Sequence, residues 1–305
     1  MPGAYAHLTL ANCLRETQRL ESTPGFPVIA IRAVLEHFEY VELGAVSPDY
    51  PYLAIRDSKA ARWADAMHYT NTGGMIRAGV ELLRGLDVDK HLKELAWLLG
   101  YTSHVVADMT IHPVVELKVG TYDDNKGEHR VCEMNQDAYV FQRLNIGPLG
   151  LSNHLCNGIA RCGTLNGLDD GIVSLWNAMM QRVHPEEYAA NPPDIHKWHR
   201  GFVKVLSTIS HGQQLMPLSR HVAAGIGLTY PAPDDVAPEF IDELHVPGGF
   251  LGYDLLFDRA VDNAFAEWGR VAASLFGVGD HSIAHLGEWN LDTGRNAFGH
   301  LVYWG

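Results

Sequence analysis

The stretch from His91 to Val140 constrains this chain more than any other. It carries His104-Val-Val-Ala-Asp108-Met-Thr-Ile-His112 and, after a turn-rich gap, Glu128-His129-Arg-Val-Cys-Glu133-Met-Asn-Gln-Asp137. The preceding Lys93-Glu-Leu-Ala-Trp-Leu-Leu-Gly100 is strongly helical in character. An α-helix turns about 100° per residue, so positions four apart share a face. His104, Asp108 and His112 therefore form one stripe of one helix. His129 and Glu133, with Asp137 one turn further on, form one stripe of the next. Two facing helices that project imidazoles and carboxylates make a metal cage of the kind helical bundles build. Pro113 lacks an N–H and clashes with the preceding turn, which predicts that the first helix stops or kinks at about His112.

A single His–Asp pair four residues apart is ordinary on a solvated helix face. Here Val105, Val106, Ala107, Met109 and Ile111 make the helix apolar nearly all round, so its polar stripe faces inward. Charges inside a protein must be paired or must coordinate a metal.

The rest of the chain narrows the function classes. The 305 residues are enough for a large core, and 47% hydrophobic with 19% charged residues is ordinary for a globular protein. The net charge of −13 argues against a nucleic-acid partner held by its phosphates and offers no polybasic anchor for an anionic membrane. No run of about 18 apolar residues is present, so no transmembrane segment is expected. Cys13, Cys132, Cys156 and Cys162 form no C-x-x-C pair and read as small buried hydrophobes of a reducing compartment. The N-terminal residues show no basic segment followed by an apolar run, so the expectation is a cytoplasmic protein as synthesised, open to signal-independent secretion.

Helical periodicity continues along the chain. Residues 6–21 and 28–40 read as the first two helices. Gly44 to Pro51 reads as a loop because two prolines interrupt it, 58–67 and 75–84 are helical, and Asp87 reads as the cap of the helix through His104. Residues 169–183, 194–209 and 253–276 are also periodic, with a proline-rich loop region from about 211 to 252. There is no alternating strand pattern, so the fold class is all-α, a multi-helix bundle.

Three upstream residues extend the stripe. His7 lies on the first helix, Asp49 in the proline-flanked loop and His68 after a helix. Each alone reads as structural: a core histidine, a turn aspartate, a ring packed on Trp63. The order His7, Asp49, His68, His104-x3-Asp108-x3-His112, His129-x3-Glu133 resembles the zinc-dependent phospholipase C family. That family includes the bacterial phosphatidylcholine-hydrolysing enzymes, the clostridial toxins and the catalytic domain of glycosylphosphatidylinositol-specific phospholipase D. The fungal single-strand-specific nucleases share the helical scaffold. The resemblance covers about residues 2 to 145 and includes the Gly44-to-Tyr50 loop. The short Asp108–His112 spacing is like that of the phospholipase D branch, whereas the secreted bacterial lipases have a longer gap.

The resemblance implies three zinc ions. Asp49, His68, His104 and Asp108 would hold the first; His112, His129 and Glu133 the second; His7 and a bridging Asp108 the third. In a chain that has lost Met1, the Pro2 amine would join His7 at the third ion. Imidazole and carboxylate donors suit zinc in a hydrolytic site. Asp49 is the candidate general base as well as a ligand. The implied activity is phosphodiester hydrolysis of glycerophospholipids at a membrane or vesicle surface, with a single-strand nuclease as the alternative on the same metals. Residues 1–305 would then form one helical catalytic domain, with ligands in 1–145 and residues 146–305 completing the bundle and free to cover the cleft. The sequence does not set head-group preference or oligomeric state.

Other polar and aromatic residues carry a weaker signal. His196-x-x-His199 reads as structural, because no carboxylate cluster accompanies it. Glu128, Asn135 and Asp137 are placed to orient ligand histidines. Tyr50, Tyr52, Trp63 and Tyr69 lie near the ligands in sequence, where aromatic faces would suit a choline-like cation.

Overall fold

A computed structural model describes residues 3–23, 26–54, 57–145, 153–164, 166–209, 230–277 and 283–305. The organising element is α7, Leu92–Val119. Every side chain from Leu95 to Val115 is buried, as expected of a helix that is apolar on all sides. Around it pack α1 (Ala4–Leu14), α3 (Val28–Glu36), α4 (Phe38–Val46), α6 (Thr72–Leu83), α8 (Lys126–Phe141), α10 (Asp170–Val183) and the long α13 (Tyr253–Phe276). The molecule is an all-α bundle, and its described residues include three small antiparallel hairpins: β1 (Gly163–Thr164) with β2 (Gly167–Leu168), β3 (Leu244–Val246) with β4 (Gly249–Leu251), and β5 (Trp289–Asn290) with β6 (Arg295–Asn296). The hairpins escape sequence reading because strands of two or three residues are too short to show an alternating pattern.

α4 crosses α7 at backbone contact. A Cβ on Gly44 would overlap the Trp97 carbonyl, and a Cβ on Gly100 would overlap the Val41 carbonyl. Two glycines therefore let these backbones touch, and the touching backbones bring the Ala45 carbonyl to the His104 ring. Trp97 and Trp268 seal the region, donating from Nε1 to Ser47 Oγ (2.8 Å) and to the Leu99 carbonyl (2.7 Å).

Several expected boundaries move. The first expected helix divides into α1 and α2 (Thr17–Ser22), and the second divides at His37 into α3 and α4. The expected loop at 44–51 is helical: α4 runs to Val46, and a 3₁₀ helix covers Ser47–Leu53, with Pro48 in its first turn where a missing N–H costs nothing. Asp87 flanks a separate 3₁₀ turn, Val88–Lys90, rather than α7. Pro113 does not end α7, which continues to Val119. Val114 and Val115 are fully buried beyond it, and this packing offsets the lost hydrogen bond.

Candidate metal centre

Besides Trp97 and Tyr101, the buried stretch of α7 contains six polar side chains, and three of them satisfy themselves. Thr102, Ser103 and Thr110 donate to the carbonyls of Leu98, Gly100 and Val106. His104, Asp108 and His112 remain, on the stripe that the four-residue spacing defines. These three need partners from other elements.

Those partners converge from across the chain. The Asp108 carboxylate lies with Oδ1 3.2 Å from His7 Nε2 of α1 and Oδ2 3.3 Å from His104 Nε2. His68, near the end of α5 (Ser58–Tyr69), places Nε2 3.9 Å from Asp108 Oδ2 and 3.5 Å from Asp49 Oδ1 on the 3₁₀ helix. The His7 ring stacks on His104, centroids 4.0 Å apart and 13° from parallel. Donor atoms of His7, His104 and Asp108 lie within 4.8 Å of one another, and so do those of Asp49, His68 and His104. The structure thus brings five of the eight sequence-predicted residues into one buried cluster.

Carbonyl groups set the histidine tautomers. A carbonyl only accepts, so the ring nitrogen facing it carries the proton and the other nitrogen keeps its lone pair. His68 Nδ1 donates to Ala64 O at 2.6 Å, His104 Nδ1 to Ala45 O at 2.8 Å and His112 Nδ1 to Leu291 O at 2.5 Å. Nε2 keeps its lone pair in all three. His129 is reversed: its Nε2 donates to Gly120 O at 2.6 Å, so Nδ1 keeps the lone pair. A histidine oriented through its second nitrogen is the usual support of a metal ligand.

The remaining three predicted residues are less tightly gathered. His129 Nδ1 and Glu133 Oε1 face each other at 4.0 Å on α8, as their spacing requires. His112 sits close enough to Asp108 for its charge to act on that carboxyl. Among the described residues His112, His129 and Glu133 do not form a set of three within 4.8 Å. Met1 and Pro2 lie outside the described residues, and the expectation for Pro2 lies there with them.

The electrostatics follow from this packing. Burial would raise the Asp108 and Asp49 carboxyls, but the surrounding imidazoles overcome it and hold both below the ordinary range. Burial would lower His104, yet Asp108 and Asp49 raise it. His7 is lowered, first by burial and then by His104. Both His7 nitrogens, His104 Nε2, Asp49 Oδ1 and both Asp108 oxygens are buried with no aligned hydrogen-bond partner. Each such group costs about 1–3 kcal/mol when left unpaired. A cation among them removes that cost, and the all-nitrogen-and-oxygen donor set is one that zinc accepts.

A family model described as zinc dependent phospholipase C matches residues 6–209. The chain belongs to the zinc-dependent phospholipase C family. It is accordingly a zinc-dependent hydrolase of phospholipase C type, and the match spans every residue of the cluster just described. No curated protein and no solved structure matches the chain. Among the described residues no helix is long and apolar enough to cross a membrane.

The other expected contributors to this phospholipase site fall differently. Tyr50 and Trp63 are fully buried core, so neither presents a face to a choline-like cation. Tyr52 and Tyr69 are half-buried and donate to Asp65 and Asp292, each at 2.7 Å. Asn135 orients no histidine; its Oδ1 accepts from Ala237 N–H. Glu128 is exposed. Asp137 acts on the ligand helix rather than on a ring: it accepts from Ala6 N–H at 2.8 Å and caps the start of α1, which carries His7. His199 is structural, with Nδ1 paired to the Tyr50 hydroxyl at 2.8 Å. Nothing in the sequence marks Ala45, Gly120 or Leu291, because every residue has a carbonyl.

Proposed function

We propose that the chain hydrolyses glycerophospholipids to diacylglycerol and a phosphorylated head group. The convergence of Asp49, His68, His104, His7 and Asp108 in one buried cluster carries this reading. Asp49, His68, His104 and Asp108 would hold a first zinc, His112, His129 and Glu133 a second, and His7 with Asp108 a third. Zinc bound there would polarise the phosphate oxygens and lower the pKa of a bound water.

The chain's own residues then have separable tasks. Asp49, kept ionised by its histidine neighbours, orients the attacking water and takes its proton at Oδ1. Asp108, at the centre of the cluster, balances positive charge contributed from both sides. The carbonyls of Ala64, Ala45, Leu291 and Gly120 fix the rings, so that no reorientation is needed during the reaction.

The acidic balance of the chain, 36 Asp and Glu against 23 Lys and Arg, supports lipid over single-stranded nucleic acid. The deciding assay measures release of phosphorylated head group from mixed phospholipid vesicles beside digestion of single-stranded DNA with the same preparation. Head-group release that vanishes on chelation and returns with zinc is the expected result. DNA digestion without head-group release would replace the lipid reading with the nuclease one. Full activity in metal-free protein would end both.

A further inference from the structure

The segment of residues 286–294 lies beyond the part of the chain that the family model matches, yet it is laid directly across the ligand helices. Gly73 N–H donates to Gly287 O at 3.0 Å, Asn71 N–H to Glu288 Oε1 at 3.0 Å and Thr72 Oγ1 to Trp289 O at 3.2 Å. Leu291 then makes two bonds with its own peptide groups. Its N–H donates to the His68 carbonyl at 2.9 Å, and its carbonyl accepts from His112 Nδ1 at 2.5 Å. Asp292 accepts from the Tyr69 hydroxyl at 2.7 Å. Asn290 Oδ1 folds the turn that follows, accepting from Asp292 and Thr293 N–H.

Both ends of the segment dock through backbone-close contacts. A Cβ on Gly73 would overlap the Gly287 nitrogen. Gly294, at φ +65°, sits on the Pro113 ring, and a Cβ there would come within 2.6 Å of the Met109 carbonyl, the group that Pro113 cannot bond.

We infer that residues 286–294 are a positioning strap, and that the Leu291 backbone holds His112 in its metal-binding tautomer while tying it to the α5 turn that carries His68. The inference rests on the assignment of His68 and His112 as zinc ligands. Leu291 is fully buried, so water cannot substitute for its carbonyl. The strap also places Asp292 Oδ1 3.9 Å from His112 Nδ1, so displacing it takes both acceptors from that nitrogen and lets the ring proton move between nitrogens. The fraction with the proton on Nε2 would then present N–H, which cannot ligate, toward the metal.

The test uses Gly294→Ala and Gly73→Ala, which wedge the two ends of the strap without altering a ligand, with His112→Ala as the reference. Zinc affinity is read by competition with a chromophoric chelator, and the imidazole tautomer of zinc-free protein by long-range proton–nitrogen NMR. Wild-type protein should show His112 protonated at Nδ1 alone. The wedge variants should show mixed tautomers and bind the His112-dependent zinc about 10–100-fold more weakly. Their far-UV circular dichroism should stay helical. Retention of every zinc by His112→Ala would show that the ligand assignment is wrong. Loss of zinc in His112→Ala with wild-type affinity and a single tautomer in both wedge variants would overturn the strap alone. If a wedge variant fails to fold, Tyr69→Phe decides by removing one tie of the strap: weaker zinc binding with a mixed tautomer supports the inference, and wild-type values of both overturn it.

Discussion

The buried carboxylates Asp49, Asp108, Glu42 and Asp137 fall into two pairs with opposite properties. Asp49 and Asp108 lie in the histidine cluster and are held below the ordinary carboxyl range. Glu42 and Asp137 hold α1, Glu42 through Asn12 Nδ2 at 3.1 Å and Asp137 through Ala6 N–H. Burial pushes each of these two up to about 7. Burial opposes charge in all four, so what separates the pairs is the imidazoles, not depth. One region stores negative charge inside the protein and needs cations to balance it. The other uses the same residue types, largely neutral in mildly acidic solution, as hydrogen-bonding groups that seat the helix carrying His7.

Neutralising a member of the first pair should have the largest consequence. Asp108→Asn removes the charge nearest the centre of the cluster and leaves buried cations unbalanced. It is expected to lose more than one zinc per chain and about 10³-fold or more in rate, since the metal contribution is worth several kcal/mol. Zinc content by atomic emission beside vesicle kinetics checks this; near-normal metal occupancy would contradict the central role given to Asp108.

Asp49→Asn sharpens the contrast within the pair. The amide oxygen can still face a cation but cannot take a proton. Most of the zinc should remain, while the rate falls on the order of 10²-fold. A variant that loses metal in proportion to rate would mean that Asp49 serves only as a ligand.

The smallest expected effect belongs to the second pair. The Glu42 carboxyl is raised when folded, so its stabilising contribution is complete below its unfolded pKa of about 4.5 and is lost as pH rises through about 7. Glu42→Gln keeps an acceptor for Asn12 and cannot ionise. It should therefore match wild type near pH 4.5 and exceed it by about 1–3 kcal/mol at pH 8. Urea unfolding at the two pH values measures the difference; an equal difference at both would show that Glu42 is not neutral in the folded protein.

Local periodicity made part of this legible in advance. The spacing of His104, Asp108 and His112, and of His129 and Glu133, defines stripes on α7 and α8 because helix geometry is set by neighbours a few residues away. The apolar residues around the first stripe implied its burial for the same reason. Boundaries were less legible. Pro113 signals a helix end locally, and only the burial of Val114 and Val115 and the seating of Gly294 on the Pro113 ring outweigh it. Tyr50 and Trp63 illustrate the same limit in the core: an aromatic residue beside a ligand in sequence says nothing about which side of the chain it packs on.

The sequence by itself determined the chemistry available to this protein: a donor set of imidazoles and carboxylates, its presentation on helices, and an acidic balance that argues against binding nucleic acid through its phosphates. Only the tertiary structure decided which donors meet. His7, Asp49 and His68 come from three separate elements, and their approach to Asp108 depends on contacts between residues far apart in the chain. The tautomer of each ring depends on a particular carbonyl, of Ala45, Ala64, Gly120 or Leu291. A carbonyl is identical in every residue, so side-chain identity cannot mark it; what selects Leu291 for His112 is the passage of residues 286–294 across α5 and α7, a property of the folded backbone.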